Sequence, residues 1–192
     1  MNDELDRLFT QIRGLEDQIE RRLDAHRDQF NYRLARGRAV FDAEVRVAHH
    51  RVRKGIYRYL YETPIRHLAM APFIYAVVIP IAFLDLSMTI YQSICFTFMG
   101  ISRVQRRRYV VIDRHRLPYL NAIEKLNCMY CGYANGVLAY AVEIGSRTEQ
   151  YWCPIRHATQ IAGPHTRYKD FATYGDAESY RTRLEDLRAK LR

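Results

Sequence analysis

The sequence predicts a mainly α-helical protein. It would consist of a long N-terminal helix, a short membrane helical hairpin and a small α-helical cytoplasmic domain that could be organised by a Cys/His metal site. Three observations carry that expectation. Leu68 to Ile101 is a run of 34 residues without Lys or Arg, with Asp85 as its only acid. Basic clusters flank it on both sides. Two Cys/His groups follow in the remaining half of the chain. The corresponding regions are 1–66 (helical, coiled-coil-like), 67–102 (membrane hairpin) and 103–192 (helical Cys/His domain).

The first region is expected to be helical from residue 3 to about 60. Leu5, Leu8, Ile12, Leu15 and Ile19 follow the 3-4-3-4 spacing of a coiled-coil seam. Such a seam either packs within the chain or joins copies into a homo-oligomer. Arg22 breaks the pattern and Gly37 weakens the helix. Tyr57, Tyr59 and Tyr61 stand before the apolar run as an interfacial aromatic belt would. Pro64 should end the helix that precedes it.

The apolar run is long for one membrane pass and short for two. As a straight helix it would measure about 51 Å against a hydrocarbon core of about 30 Å. Arg58 and Arg66 lie upstream, and Arg103, Arg106, Arg107 and Arg108 downstream. Lys and Arg collect on the cytoplasmic side of bilayers. Both flanks therefore predict a short hairpin, re-entrant or barely spanning, that enters and leaves by one face with these six arginines at lipid headgroups; the alternative, one tilted span, would put residues 102–192 outside the cytoplasm. Asp85 is expensive in lipid but natural at a turn, so the bend is expected between Pro80 and Asp85.

The charge balance agrees with this reading. The formal net charge is +9. Residues 102–192 hold 16 basic and 9 acidic side chains, whereas residues 1–66 are nearly balanced at 14 and 11. Such an excess can meet nucleic acid or anionic lipid. Because the densest arginine clusters abut the apolar run, membrane lipids are the expected partner and nucleic acid is not. The amino end, Met1-Asn-Asp-Glu-Leu-Asp6, has neither a basic region nor an apolar stretch, so no signal peptide is expected. The expected location is the inner (cytoplasmic) membrane with both termini cytoplasmic. A larger membrane complex would suit such an anchor.

Beyond the run, residues 117–127 and 137–151 predict two helices, with Gly132 and Gly136 punctuating the chain between them. Tyr109 to Ile112 reads as a short strand or extended linker. A last helix should start at Asp176 as its N-cap and bury Tyr180, Leu184, Leu187 and Leu191.

Four cysteines are present. Cys95 lies in the apolar run, and three soluble thiols cannot all pair, so reduced thiols are expected. Cys128 and Cys131 have the C-x-x-C spacing of a metal knuckle. Cys153 and His157 supply a second pair. Together they would form a Cys₃His site for zinc, with iron as the alternative. One straight helix between the two pairs would hold them about 30 Å apart. A shared ion therefore requires a break, for which Gly145-Ser146 is the candidate. Two other readings stay open: buried thiols that pack as small hydrophobes, and a thiol redox pair at Cys128 and Cys131. Glu143 and Arg147 have the i, i+4 spacing of an ordinary helix ion pair.

The stretch Asp113 to Gly136, with Leu126-Asn-Cys-Met-Tyr-Cys-Gly-Tyr-Ala-Asn-Gly136, followed by Arg147-Thr-Glu-Gln-Tyr-Trp-Cys-Pro-Ile-Arg-His157, resembles an uncharacterised family of bacterial membrane-associated proteins. The likeness extends to the apolar run and to Tyr174-Gly-Asp-Ala177, but not to the first 60 residues. It implies bacterial origin and membrane association, and no reaction. The expected role is a membrane-anchored scaffold or accessory protein with a metal-stabilised cytoplasmic domain. The alternative is a membrane-associated redox enzyme or electron-transfer component using the Cys/His cluster.

Overall fold

The structure is a computed structural model. It describes residues 7–8, 10–12, 14–15, 17–19, 21–22, 32–35 and 38–192. The chain divides into two compact units, Met1–Gly55 with Leu117–Asn121, and Ile56–Arg116 with Ala122–Arg192.

In the first unit the described positions between 7 and 22 are helical. Leu8, Ile12, Leu15 and Ile19 are each at least half exposed, and Leu5 lies outside the described residues. A continuous helix to residue 60 does not follow. Strands β1 (Tyr32–Ala35) and β2 (Arg38–Phe41) pair antiparallel, with Tyr32 opposite Phe41 and Ala35 opposite Arg38. Helix α1 (Ala43–Arg51) follows. His49 stacks edge-on against Phe41 and Tyr119, each with ring centroids 5.1 Å apart.

The second unit opens with α2 (Ile56–Glu62), which ends just before Pro64. Next comes α3, a single helix over Ile65–Met99. The expected membrane hairpin is therefore replaced by one 35-residue helix that does not reverse direction. Pro72 lies inside it, and Pro80 is accommodated by a local turn at Val77. Neither proline reverses the chain, because one missing amide costs a single bond that the flanking turns bridge. Asp85 sits in mid-helix rather than at a bend. Near its end α3 widens into one π-helical turn, Gln92–Phe96. It stops at Gly100, whose φ of 68° is the left-handed conformation that terminates helices.

Helix α4 runs from Ala122 to Trp152 without a break. The two shorter helices expected here are one, and Gly145-Ser146 does not interrupt it. Gly132 and Gly136 have a different purpose from punctuation. A Cβ on Gly136 would lie 2.7 Å from the Tyr109 carbonyl oxygen and 2.8 Å from Val110 Cα, and one on Gly132 would lie 3.1 Å from the Val111 oxygen. The two glycines, four apart on one helix face, form a channel for the backbone of residues 109–111. That segment is neither the strand nor the extended linker expected: Tyr109 has helical backbone angles, and the amides of Val110 and Val111 bond back to the Arg106 and Tyr109 carbonyls.

Helices α3 and α4 run parallel, since their contacts advance together. Tyr75 meets Asn127 and Tyr130. Asp85 meets Tyr133, Gln92 meets Tyr140, and Tyr91 meets Thr148. Parallel neighbours require the chain to return between them. The connector Ser102–Arg116 makes that return, passing Gln92 at Val104, Asp85 at Arg106, and Gly132 at Val111. The core where these three strata meet is Phe96, Ile101, Val104, Tyr140 and Ile144, closed by Leu191 of the C-terminal segment. Helix α5 (Ala177–Ala189) is capped as expected: Asp176 accepts from the Ser179 amide at 2.9 Å. Gln150 and Arg188 tie α5 to the end of α4 through the carbonyls of Leu187 and Tyr151.

Candidate functional site

The interior of the second unit carries a column of polar side chains between apolar helices. Asp85, buried in mid-α3, receives two hydrogen bonds from the Arg106 guanidinium, Nε to Oδ1 at 2.8 Å and Nη2 to Oδ2 at 2.6 Å. Tyr133 of α4 donates a third at 3.0 Å. The bidentate fork is the strong form of a carboxylate contact. It explains how an ionisable group is held inside an apolar helix: its charge is paired and its lone pairs are filled.

About two helical turns further on, Gln92 opens the π-helical segment and is buried. Its carbonyl accepts from the Val104 amide at 2.9 Å, and its amide group donates to the Val104 carbonyl and to the Tyr140 hydroxyl. Gln92 thus satisfies the connector backbone where no strand pairs with it.

Below these lies Glu143. Its Oε1 accepts from Arg147 Nε at 2.8 Å and from Arg167 Nη2 at 2.7 Å. Burial alone would push this carboxyl up. The hydrogen bonds from Arg167 and Arg147 outweigh it and hold the group below the ordinary glutamate value. The i, i+4 pair expected with Arg147 is present. Arg167, from the short 3-10 helix Thr166–Asp170, was not singled out by sequence reasoning. Nearby, His165 Nε2 lies 2.8 Å from Glu149 Oε2 and its ring packs edge-on against Phe171.

The predicted metal ligands are not brought together. Cys128 and Cys131 lie early on α4, the first half-buried and the second exposed. Cys153 follows the last residue of the same helix and is exposed. Twenty-one residues of unbroken helix lie between Cys131 and Cys153, which places the two about 33 Å apart at the helical rise. Zinc–sulfur bonds are about 2.3 Å, so one ion cannot take ligands from both ends. His157 instead packs against Tyr168, with Nδ1 3.2 Å from the hydroxyl. Among the described residues no group of three or more His, Cys, Asp or Glu could hold a metal ion. Within one chain, therefore, Cys128 and Cys131 do not share an ion with Cys153 and His157.

The six arginines expected at lipid headgroups divide. Arg106 is committed to Asp85. Arg58 pairs with Glu62 at 2.7 Å in an exposed i, i+4 bridge, and Arg103 donates to Thr97 and the Ser93 carbonyl. Arg66, Arg107 and Arg108 are exposed.

A groove of about 460 Å³ lies where α2 and α3 meet the first turns of α4. Leu60, Leu68 and Ile74 are among its apolar lining residues, and His67 and Cys131 also line it. No protein-family model, curated protein or solved structure matches this chain.

Proposed function

We propose that this chain is a membrane-anchored scaffold or accessory protein. The observation that supports it is the exposure of α3. The helix is long and apolar enough to cross a membrane, yet only 11% of its most apolar window is buried within the protein. A soluble core helix of this composition would bury its side chains. Phe73, Ile79, Phe83 and Phe98 each expose about 70% or more of their surface, and contiguous apolar surface of this kind marks a membrane or protein contact.

In this reading α3 holds the protein on the cytoplasmic membrane with both termini in the cytoplasm. The N-terminal seam Leu8-Ile12-Leu15-Ile19 joins copies into a homo-oligomer that can dock further membrane components. The polar column keeps α3, the connector and α4 in register. A thiol-dependent activity on a lipid-soluble substrate is the second reading. It is favoured by one observation, the exposed Cys131 in the lining of the apolar groove.

The test is fractionation of cells expressing the full chain. It should sediment with membranes and resist salt extraction. The triple variant Phe83→Glu, Leu86→Glu, Ile90→Glu should move to the soluble fraction. A parent chain found wholly in the soluble fraction would overturn the reading.

A further inference from the structure

We propose that α3 does not cross the bilayer but lies in its plane, with its outer apolar stripe sunk into one anionic leaflet and the arginine-bearing connector riding above it among the headgroups. The proposal rests on the membrane reading above and adds the orientation and the lipid charge.

The argument begins with what α3 carries on its sides. Ile79, Phe83, Leu86, Ile90, Ile94 and Phe98 recur every three or four residues and are all at least half exposed. They form one stripe about 28 Å long. The residues between them that point the other way, Ile81, Asp85, Gln92 and Phe96, are buried against the connector and α4. The helix thus has an apolar outer face and a covered inner face along its whole second half.

The connector fixes the orientation. Asp85 is near the middle of the 35-residue helix, and Arg106 is bound to it. Arg107 and Arg108, both exposed, are therefore held near the midpoint of α3. Continuing toward the amino end of α3, the connector presents exposed Asp113, Arg114 and Arg116 beside the Gly132 level of α4. If α3 stood upright, these charges would sit in the hydrocarbon, where ionised side chains are strongly disfavoured. So would the non-helical backbone of the connector, which lipid cannot hydrogen-bond. Shifting α3 up or down does not help: the connector lies against it from Thr97 back to Asp85, and α4, whose first turns carry Glu124 and Lys125, meets its amino half at Tyr75.

Laid flat, the same structure has no such conflict. An in-plane helix buries its apolar face roughly 5–10 Å into the acyl boundary. The connector, on the opposite side of a helix about 10 Å in diameter, then lies at headgroup depth. It carries six arginines, Arg103, Arg106, Arg107, Arg108, Arg114 and Arg116, against the single acid Asp113. Asp85 neutralises one of them. The remaining excess complements an acidic leaflet.

The test measures depth. The chain has one tryptophan, Trp152. In a Trp152→Phe background, Phe73→Trp, Phe83→Trp and Phe98→Trp each place a reporter at an exposed position that tolerates it. Full-length protein is mixed with vesicles of phosphatidylcholine, with and without phosphatidylglycerol. The lipids are brominated either near the headgroup or near the chain end. All three reporters should be quenched best by the shallow bromine, and binding should rise with phosphatidylglycerol. The pair Arg107→Glu, Arg108→Glu should weaken binding to acidic vesicles about tenfold or more at low salt. Deep quenching at residue 83 with shallow quenching at 73 and 98 means α3 spans, and overturns the proposal while the membrane reading stands. Binding indifferent to phosphatidylglycerol and to the Arg107/Arg108 change overturns the lipid-charge part. No quenching at any reporter, with a dimer in sedimentation, means that a second copy covers the stripe. In that case both this proposal and the membrane reading fall.

Discussion

Arg106 grips Asp85 through two nitrogens, across 21 residues of sequence and the full width of the packing between connector and helix. The pair converts an acid in the middle of an apolar helix into the point where the connector is fastened. The side chains differ in exposure, 12% for Asp85 and 42% for Arg106, so the arginine remains partly solvated and the cost of breaking the pair is moderate. Replacing Asp85 with Leu leaves a charge against an apolar face and should destabilise the second unit by roughly 1–3 kcal/mol. Adding Arg106→Leu should recover part of that loss. Chemical denaturation in detergent of the two single variants and the double variant measures the coupling.

The glycines of α4 make opposite predictions for the same substitution. Gly136→Ala gains helix propensity, yet its methyl group would meet backbone at 2.7 Å and 2.8 Å. It should lower stability by more than the propensity gain of about 1 kcal/mol. Gly145→Ala meets nothing within 4 Å and should raise stability by about 0.5–1 kcal/mol. Melting temperatures of the two variants, compared with the parent, decide the matter.

Glu143 gives the fold an acid-sensitive support. Its pKa is held down by Arg167 and Arg147 in the folded state, against the upward push of burial. A depressed folded value means that its contribution is fully present above the ordinary glutamate range. The contribution is lost as pH falls through the lowered value. The melting temperature should fall over that acidic interval. Glu143→Gln should begin lower at neutral pH and show a smaller acid-dependent decline.

The exposed seam of the N-terminal helix predicts association. Replacing Ile12 and Leu15, both at least half exposed, with Asp should dissociate the oligomer, because charges would enter seam contacts. Crosslinking in detergent reads the size distribution. An unchanged distribution would show that the seam is not an oligomer contact.

The helical character of the chain, the apolar run, the Asp176 cap and the Glu143–Arg147 pair were all readable from residue type and spacing. The single long helix in place of a hairpin was not. Two prolines and one acid look like a bend when each is weighed alone, and Asp85 acquires its partner only from a segment 21 residues away. A signal did exist: one acid in 34 apolar residues needs a counter-ion, and arginines crowd the next segment. Gly132 and Gly136 misled in the same way. Local propensity reads glycine as a breaker, whereas here its missing side chain admits a neighbouring backbone. The Cys/His spacing suggested a site because Gly145-Ser146 looked able to break the helix between the two pairs, and α4 runs through it unbroken. Arg167 and His165 had no pattern to mark them, since their partners Glu143 and Glu149 lie across a loop.

The parallel course of α3 and α4 has a consequence in time as well as in space. A ribosome adds about 5–20 residues per second, so Asp85 emerges roughly one to four seconds before Arg106. Tyr133 arrives later still, 48 residues on. Once Met99 has emerged the apolar helix is complete, but its acid waits for its counter-ion, and the channel that will seat the connector has not been made. The newborn chain must therefore choose a surface on which to rest α3 before it holds the residues that fix which way the helix faces.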